Sequence, residues 1–410
     1  PANVETVVDE LEAALRRAVR QRLVADAPVA TYLSGGVDSN VLLALARAER
    51  GTAPPTFSIG FDGPGTDEST LAAAAARREG SPLTVVRMTG RDVADALPDL
   101  HVAAEAPIVD TSTGCMMRLA EAASGTGVKA VLTGEGADEA LAGYVWLRVE
   151  KGFDLLDAAS GGHGARAIRG ALFAMVGGAA SEPTGALREV RTAQRDVYDP
   201  YGRVRRALYT SGLRSRLGGH DPYDDLDLDV ERMRRWHPLN RSLYVEYRVM
   251  LPGLLLHAKG DRAAMHSGVE ARYPFLDDEV IDLCARVAPE LKIRRFTEKW
   301  LLRRMAARFL PPRAAMRPKR MFHTRLADVV LGASGPAWAR DLISPAALRK
   351  TGLFDPERVT REFSLQRILP TITPRRLVMD GALTAVVATQ LWHHLFLSGG
   401  LCDLPTWTAP

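Results

Sequence analysis

The sequence predicts a doubly wound, parallel α/β sheet followed by a mostly helical C-terminal half. Three observations carry that prediction. Short apolar runs alternate with helix-period segments over the first 145 residues, the pattern that builds parallel sheets through right-handed crossovers. Two glycine-rich strings directly follow apolar runs, at the strand ends where such sheets hold ligands. From about residue 146 the strand pattern fades and helix-period segments take over. The expected organisation is a leading helix over 1–26, an α/β part over 27–145 and a helical part over 146–410 that completes the substrate site.

Each element has its own justification. Leu11, Leu15, Val19 and Leu23 recur every four residues among Arg and Glu, which predicts a helix over 4–24. Asp26 and Pro28 stop it. VATYL at 29–33 reads as a buried strand, and VLLALARAE, after a glycine turn, reads as a helix. Strand PTFSIGF, helix 67–79, strand LTVVRM, helices 91–104 and 112–125, and strand VKAVLTG continue the alternation. Later, 151–216, 240–267, 277–287 and 297–309 read as helical, and GGHDPYDDLDLD at 218–229 reads as a polar loop.

Composition narrows the function classes. The chain has 410 residues, 46% hydrophobic and 25% charged, a soluble globular balance. The net charge is +4, and the signs are interspersed without a basic tract, so no nucleic-acid partner is expected. No apolar run has spanning length, so no membrane association is expected. The opening PANVETVVDELEAALRR lacks a signal-peptide layout, and starting on Pro rather than Met leaves room for residues upstream. Cys115, Cys284 and Cys402 form neither a CxxC pair nor a zinc pattern. A reducing, cytoplasmic setting is expected.

The first string is Ser34-Gly35-Gly36-Val37-Asp38-Ser39. Two glycines allow a tight turn and close approach of a ligand. The helix that follows presents unpaired N–H groups and a positive dipole end. Ser34 and Ser39 add hydroxyls, so the string suits phosphate. Asp38 would repel phosphate unless a cation lies between them, which implies Mg²⁺. GxxxxGK[ST] is absent, so this is not a P-loop. The second string, Leu132-Thr133-Gly134-Glu135-Gly136-Ala137-Asp138-Glu139 with Gly143-Tyr144 behind it, places carboxylates at another strand end.

These strings carry a family resemblance. SGGVDS resembles the pyrophosphate-binding loop of the ATP-pyrophosphatase superfamily, whose fold is the adenine-nucleotide α-hydrolase (HUP-like) sheet. That resemblance implies cleavage of ATP between the α- and β-phosphates. LTGEGADE resembles the (S/T)GEG(A/S)DE…GGY signature of asparagine synthetases, with Ala142 where the family usually has Gly. PTFSIGF, HAKGDRAAMHSGVEARYPFLDDEV and KWLLRRMAARFLPPRAAMRPKRMF resemble further blocks of that family, in order, over residues 1–322. The family's glutaminase domain, which should precede residue 1, is not covered.

The resemblance implies roles residue by residue. Ser34, Gly35, Gly36, Asp38 and Ser39 match the β- and γ-phosphate loop. Asp38 and Asp138 match the Mg²⁺ carboxylates. Leu33, Ser58 and Gly134 match positions around adenosine, although Leu33 and Ser58 suit a packed strand equally well. Lys319 matches a lysine that contacts reacting phosphate and carboxylate oxygens, where a fixed cation stabilises developing negative charge. Arg317 and Arg320 beside it either assist or are surface charges. Glu135 matches a glutamate facing the nucleophile; relatives that close β-lactam rings have Tyr there, so Glu135 favours ammonia. Asp261 would orient the nucleophile or the substrate amine. Arg272 reads as an ion-pair partner of Glu270 or Asp277.

The implied reaction makes acyl-AMP and pyrophosphate from ATP and a small-molecule or peptide carboxylate, then an amide from a nitrogen nucleophile. A glutaminase domain or subunit is the expected ammonia source. None of the three cysteines stands at an N-terminus, so this polypeptide is not expected to hydrolyse glutamine itself. The alternative is a β-lactam-synthetase or lasso-cyclase type of ligase using another amine. EAPIVDTS at 105–112 departs from the family's DEPFADPS, which puts aspartate as substrate in doubt. A tRNA-thiolating enzyme would need a cysteine pair and a basic face, and neither is visible. A homodimer is compatible with the resemblance.

Overall fold

The computed structural model describes residues 3–61, 67–161, 164, 168, 171, 187, 190–318, 325–371 and 373–404. Five strands, β1 (Val29–Tyr32), β2 (Thr56–Phe61), β3 (Leu83–Met88), β4 (Ala130–Leu132) and β5 (Glu270–Arg272), form one sheet. All pair in parallel, in the order β3-β2-β1-β4-β5. The sheet grows from β1 towards β3, and the chain then returns to add β4 on the other side of β1. Thr31 of β1 is thus in register with both Thr56 of β2 and Leu132 of β4. The segments leaving β1 and β4 flank this switch point, where open α/β sheets bind ligands. Both glycine-rich strings leave those two strands.

Alternating side chains separate the two faces of the sheet, as the period of two in a strand requires. Val29, Ala130 and Leu132 pack with helix α1 (Val4–Arg22) and helix α2 (Val37–Arg50). Helix α1 buries Val7, Val8, Leu11, Ala14, Leu15, Ala18 and Val19, a stripe at helical spacing, with each large aliphatic side chain contributing about 1.5–3 kcal/mol. Ala30, Tyr32 and Val131 face the other way, against Leu119, Ala120 and Ala123. Those three lie on helix α5 (Thr111–Ser124), which follows helix α3 (Ser69–Glu79) and helix α4 (Gly90–Ala104) in the chain. Cover on both faces explains the continuous apolar runs of β1 and β4.

The expected helices are present within two residues over 4–24, 67–79, 91–104 and 112–125. Strand β5 is an addition to the sequence reading. Its three residues, Glu-Ala-Arg, contain no apolar run, and register with β4 (Val131 against Ala271) makes it a strand. The loop expected over 218–229 contains a short 3₁₀ turn, Pro222–Asp225.

The chain divides into two compact units, each discontinuous in sequence: residues 1–89, 112–148 and 246–323, and residues 90–111, 149–245 and 324–410. The first contains the sheet, both glycine-rich strings and a helix over Glu246–Arg262 wound with the wider π-type turn. The second is helical. Its longest helix among the described residues, Pro374–Phe396, packs against Ala193–Ala207, Leu326–Val330 and α4.

A buried carboxyl in the second unit makes its stability depend on pH. Glu150 receives the Ser242 hydroxyl at 2.8 Å, and Ser242 accepts the Ala193 N–H at 2.9 Å. Burial pushes the Glu150 pKa up to about 8, with the Ser242 hydrogen bond opposing and Asp154 adding to the rise. A folded pKa above the unfolded one means the folded state binds this proton more tightly. Stability is then full at low pH and declines as pH rises towards 8. Glu150→Gln should flatten that decline and be more stable than the parent at pH 8 to 9, read from urea midpoints across pH 5 to 9.

Candidate active site

Between β1 and α2 the chain folds on its own side chains. The Ser34 N–H donates to Ser39 Oγ at 3.1 Å, and Gly36 N–H donates to Ser34 Oγ at 3.1 Å. Asn40 Nδ2 donates to the Gly36 carbonyl at 2.7 Å. Gly36 caps α2 without a side-chain hydrogen bond, which leaves the first N–H groups of the helix open to a ligand. Gly35 is required by close approach, because a Cβ there would run into the Arg317 guanidinium. Glu68 bridges the pair, accepting Gly35 N–H at 3.3 Å and Arg317 Nη2 at 2.8 Å. Of the expected adenosine positions, Leu33 packs with Leu43, Ala72, Ala75 and Ala76, and Ser58 is buried within β2. Both are integral to the packed sheet.

The second string brings its carboxylate to the first. Gly134 lies against Asp38, where an added Cβ would come 3.1 Å from Asp38 Cβ. Asp138 sits in the first turn of helix α6 (Ala137–Leu141). Lys299 joins the two: its Nζ is 2.6 Å from Asp38 and 2.8 Å from Asp138, and its side chain is 2% exposed. Burial alone would lower this ammonium's pKa, but the Asp138 and Asp38 carboxylates outweigh it and hold the pKa above its usual value. Gly143 makes room, since a Cβ there would strike both the Asp138 carboxylate and Lys299. Ala142, the departure from the family signature, adopts φ 59°, a left-handed conformation that glycine adopts without cost.

These residues fit Mg²⁺. Asp38 Oδ1 is buried without a hydrogen-bond partner among the described residues, and Asp38 and Asp138 both reach one cation. Among the described residues no group of three or more His, Cys, Asp or Glu side chains is placed to hold a metal. Two carboxylates, with phosphate and water completing the shell, is the coordination Mg²⁺ commonly takes beside nucleotides.

A second polar cluster lies at the ends of β1, β4 and β5. Glu135 accepts the Thr133 hydroxyl at 2.5 Å and pairs with Lys259 at 3.1 Å. Burial would raise its pKa, but Lys259 and Thr133 hold it below the usual value, so Glu135 is ionised at neutral pH. Tyr273, just past β5, donates to Asp261 at 2.8 Å. Its pKa is raised by burial, by Asp261 and by the charge of Glu135. The buried Tyr32 hydroxyl has no hydrogen-bond partner among the described residues and is also raised by burial and Glu135.

Lys319 and Arg320 lie outside the described residues. Arg272 pairs with Glu270 at 3.0 Å and caps the Arg22 and Val24 carbonyls, each at 2.8 Å; Asp277 pairs with Arg22. Sequence reasoning assigned no role to Lys299, Arg303, Glu68 or Tyr273. Lys299 had a signal, as the lysine that opens the K-x-x-LR block.

Comparison with known proteins covers most of the chain. The sequence model of the asparagine synthase family matches residues 10–394. The chain is 30% identical to amidase chyE of Penicillium rubens over 337 residues, covering 73% of this chain and 49% of that protein. It is 27% identical over 409 residues to a putative glutamine-hydrolysing asparagine synthetase of Mycobacterium tuberculosis, covering 96% and 59%. Glutamine-hydrolysing asparagine synthetase 1 of Bacillus subtilis is 26% identical over 321 residues, covering 77% and 49%. The chain thus spans about half the length of the curated relatives it matches. No helix among the described residues is long and apolar enough to cross a membrane.

The shared ammonium generates a test. Lys299→Met leaves Asp38 and Asp138 without a common cation and should cost about 3–5 kcal/mol of stability, the scale for an uncompensated buried charge. Mg²⁺ should then raise the melting temperature of the variant more than that of the parent. Thermal melts with and without MgCl₂ provide the measurement, and equal shifts refute the shared-cation arrangement.

Proposed function

We propose, for a chain that belongs to the asparagine synthase family, that it catalyses ATP-dependent amide formation through an acyl-adenylate. The family supports an ATP-dependent amide ligase; adenylate chemistry, metal and substrate are our reading. The observation that carries it is the joining of Asp38 and Asp138, from two glycine-rich loops at adjacent strand ends, on one cation. That arrangement suits a polyphosphate whose Mg²⁺ is held by two aspartates.

In this reading Ser34, Gly35, Gly36 and Ser39 bind the β- and γ-phosphates, and Gly134, with Leu33 and Ser58, lies on the nucleoside side. Asp38 and Asp138 would hold Mg²⁺, which would supply charge neutralisation at the pyrophosphate oxygens. A carboxylate substrate attacks the α-phosphorus, forming acyl-AMP as the α–β bond breaks. A nitrogen nucleophile then attacks the acyl carbon and AMP leaves. Lys319 supplies positive charge where oxyanions develop. Glu135 and Asp261 face the nucleophile. Ionised Glu135 binds the incoming amine, and Asp261, oriented by Tyr273, fixes its direction.

Ammonia is the leading nitrogen source, delivered by a glutaminase domain or partner, as the glutamine-hydrolysing relatives are named. A second reading uses another amine, as in cyclases of the β-lactam-synthetase or lasso type. One observation favours it: Lys259 already neutralises Glu135 at 3.1 Å, which removes the need for a second cation. None of the three cysteines forms a disulfide, and Cys115 and Cys284 are buried, which suits a reducing cytoplasm.

With a competent carboxylate, AMP and pyrophosphate should appear in step with the amide; ADP and phosphate instead would refute the assignment. Asp38→Asn and Asp138→Asn should each abolish most turnover. Glu135→Gln should retain ATP–pyrophosphate exchange while slowing amide formation, and Lys319→Met should depress turnover by about a hundredfold. Supplying ammonium chloride and candidate amines in parallel, with product masses, separates the two nitrogen readings.

A further inference from the structure

The Ser34–Ser39 loop already holds an anion, and it belongs to the chain. Glu68 presents one carboxylate oxygen to Gly35 N–H at 3.3 Å and the other to Arg317 Nη2 at 2.8 Å. A phosphate bound in this loop would need the same donors: a backbone N–H of the glycine turn and a guanidinium packed on it. Arg317 uses one edge for Glu68, while its Nη1 is buried against Gly35 with no hydrogen-bond partner among the described residues. Arg317 therefore has a donor facing the loop that no described side chain uses.

The main chain at Glu68 is pinned, and its carboxylate is partly exposed. Asp67 accepts Ser69 N–H and Ser69 Oγ, each at 2.8 Å, and pairs with Arg87 at 2.7 Å, which pins the start of α3. The Glu68 side chain is 33% exposed, so water can receive the carboxylate when it rotates away. Two anions cannot share the Gly35 N–H and the same guanidinium edge, so one displaces the other.

We propose that Glu68 is an internal competitor for the phosphate site, occupying the Gly35 amide and Arg317 until the terminal phosphates of the nucleotide displace it, and that Arg317 is a phosphate-binding residue. This deepens the ATP reading above and rests on it. Competition reduces apparent affinity to the fraction of time the site is free. It also makes binding an exchange of partners for Arg317, which keeps the guanidinium paired before and after.

The test is calorimetric titration of inorganic pyrophosphate with Mg²⁺, and separately of ATP, into the full chain and its Glu68→Gln, Glu68→Ala and Arg317→Ala variants. Competition predicts that both Glu68 variants bind pyrophosphate on the order of tenfold more tightly (about 1.4 kcal/mol). Arg317→Ala should bind more weakly, and adding Glu68→Gln to it should recover little. A purely structural Glu68, needed only to orient Arg317, predicts weaker binding in the Glu68 variants; that result, or unchanged affinity with a parental melting temperature, overturns the proposal. Glu68→Gln keeps the side chain's size and decides the question if Glu68→Ala does not fold. Nucleotide binding by the parent with no tightening in the variants overturns this inference alone. Absence of binding in parent and variants overturns the ATP reading and this inference with it.

Discussion

One buried ammonium organises the candidate site. Lys299 reaches Asp38 and Asp138 from a helix that follows both of their loops by more than 150 residues in sequence. Burying one cation with two carboxylates is costly unless the geometry holds all three. The surroundings are built accordingly. Lys299 takes φ 51°, Ala142 takes φ 59°, and Gly143 gives up its side chain to the approach of Asp138 and Lys299. Backbone strain of this kind persists only where neighbouring structure over-determines it.

The helix that begins after Lys299, Trp300–Ala306, also reaches the other loop. Arg303, fully buried, pairs with Glu298 at 2.6 Å and donates to the Ala315 and Arg317 carbonyls at 3.0 and 2.7 Å. Those bonds fix the segment that lays Arg317 on Gly35. One helical element therefore sets two cations, Lys299 directly and Arg317 through Arg303. Disturbing its seat against α1 and α2 would shift both.

What the sequence disclosed and what it withheld follow from how each feature is made. The α1 stripe and the buried strands β1 and β4 repeat a simple period, and local composition is enough to reveal them. Strand β5 exists only because β4 offers a ladder to Glu270–Arg272, and three polar-flanked residues carry no period. On the site, the two glycine strings announced themselves because turn and helix start are local. Lys299, Glu68 and Tyr273 act through partners distant in the chain, so their residue types alone said little. Arg317 was left open between phosphate contact and surface charge, and its position on Gly35 depends on Arg303. Asp261, placed by resemblance, accepts from Tyr273, at a position the family pattern leaves undefined.

A common feature runs through these contacts: four carboxylates near the glycine loops are each matched to a cation. Asp38 and Asp138 share Lys299, Glu68 takes Arg317, and Glu135 takes Lys259. Among the described residues these pairs leave little surplus positive charge with which to attract a polyphosphate from a distance. It gains a ligand mainly by exchanging partners, and an exchange of charge-assisted hydrogen bonds is nearly balanced where each broken bond is replaced by one of similar strength. Affinity then depends on how completely the ligand satisfies every donor its arrival frees. A triphosphate with its metal can satisfy the loop amides, Arg317 and the Asp38 oxygen together, whereas a lone phosphate leaves some unpaired. On the proposed function, pairing its own charges would turn the site from a general anion trap into one that selects for the whole metal–polyphosphate group.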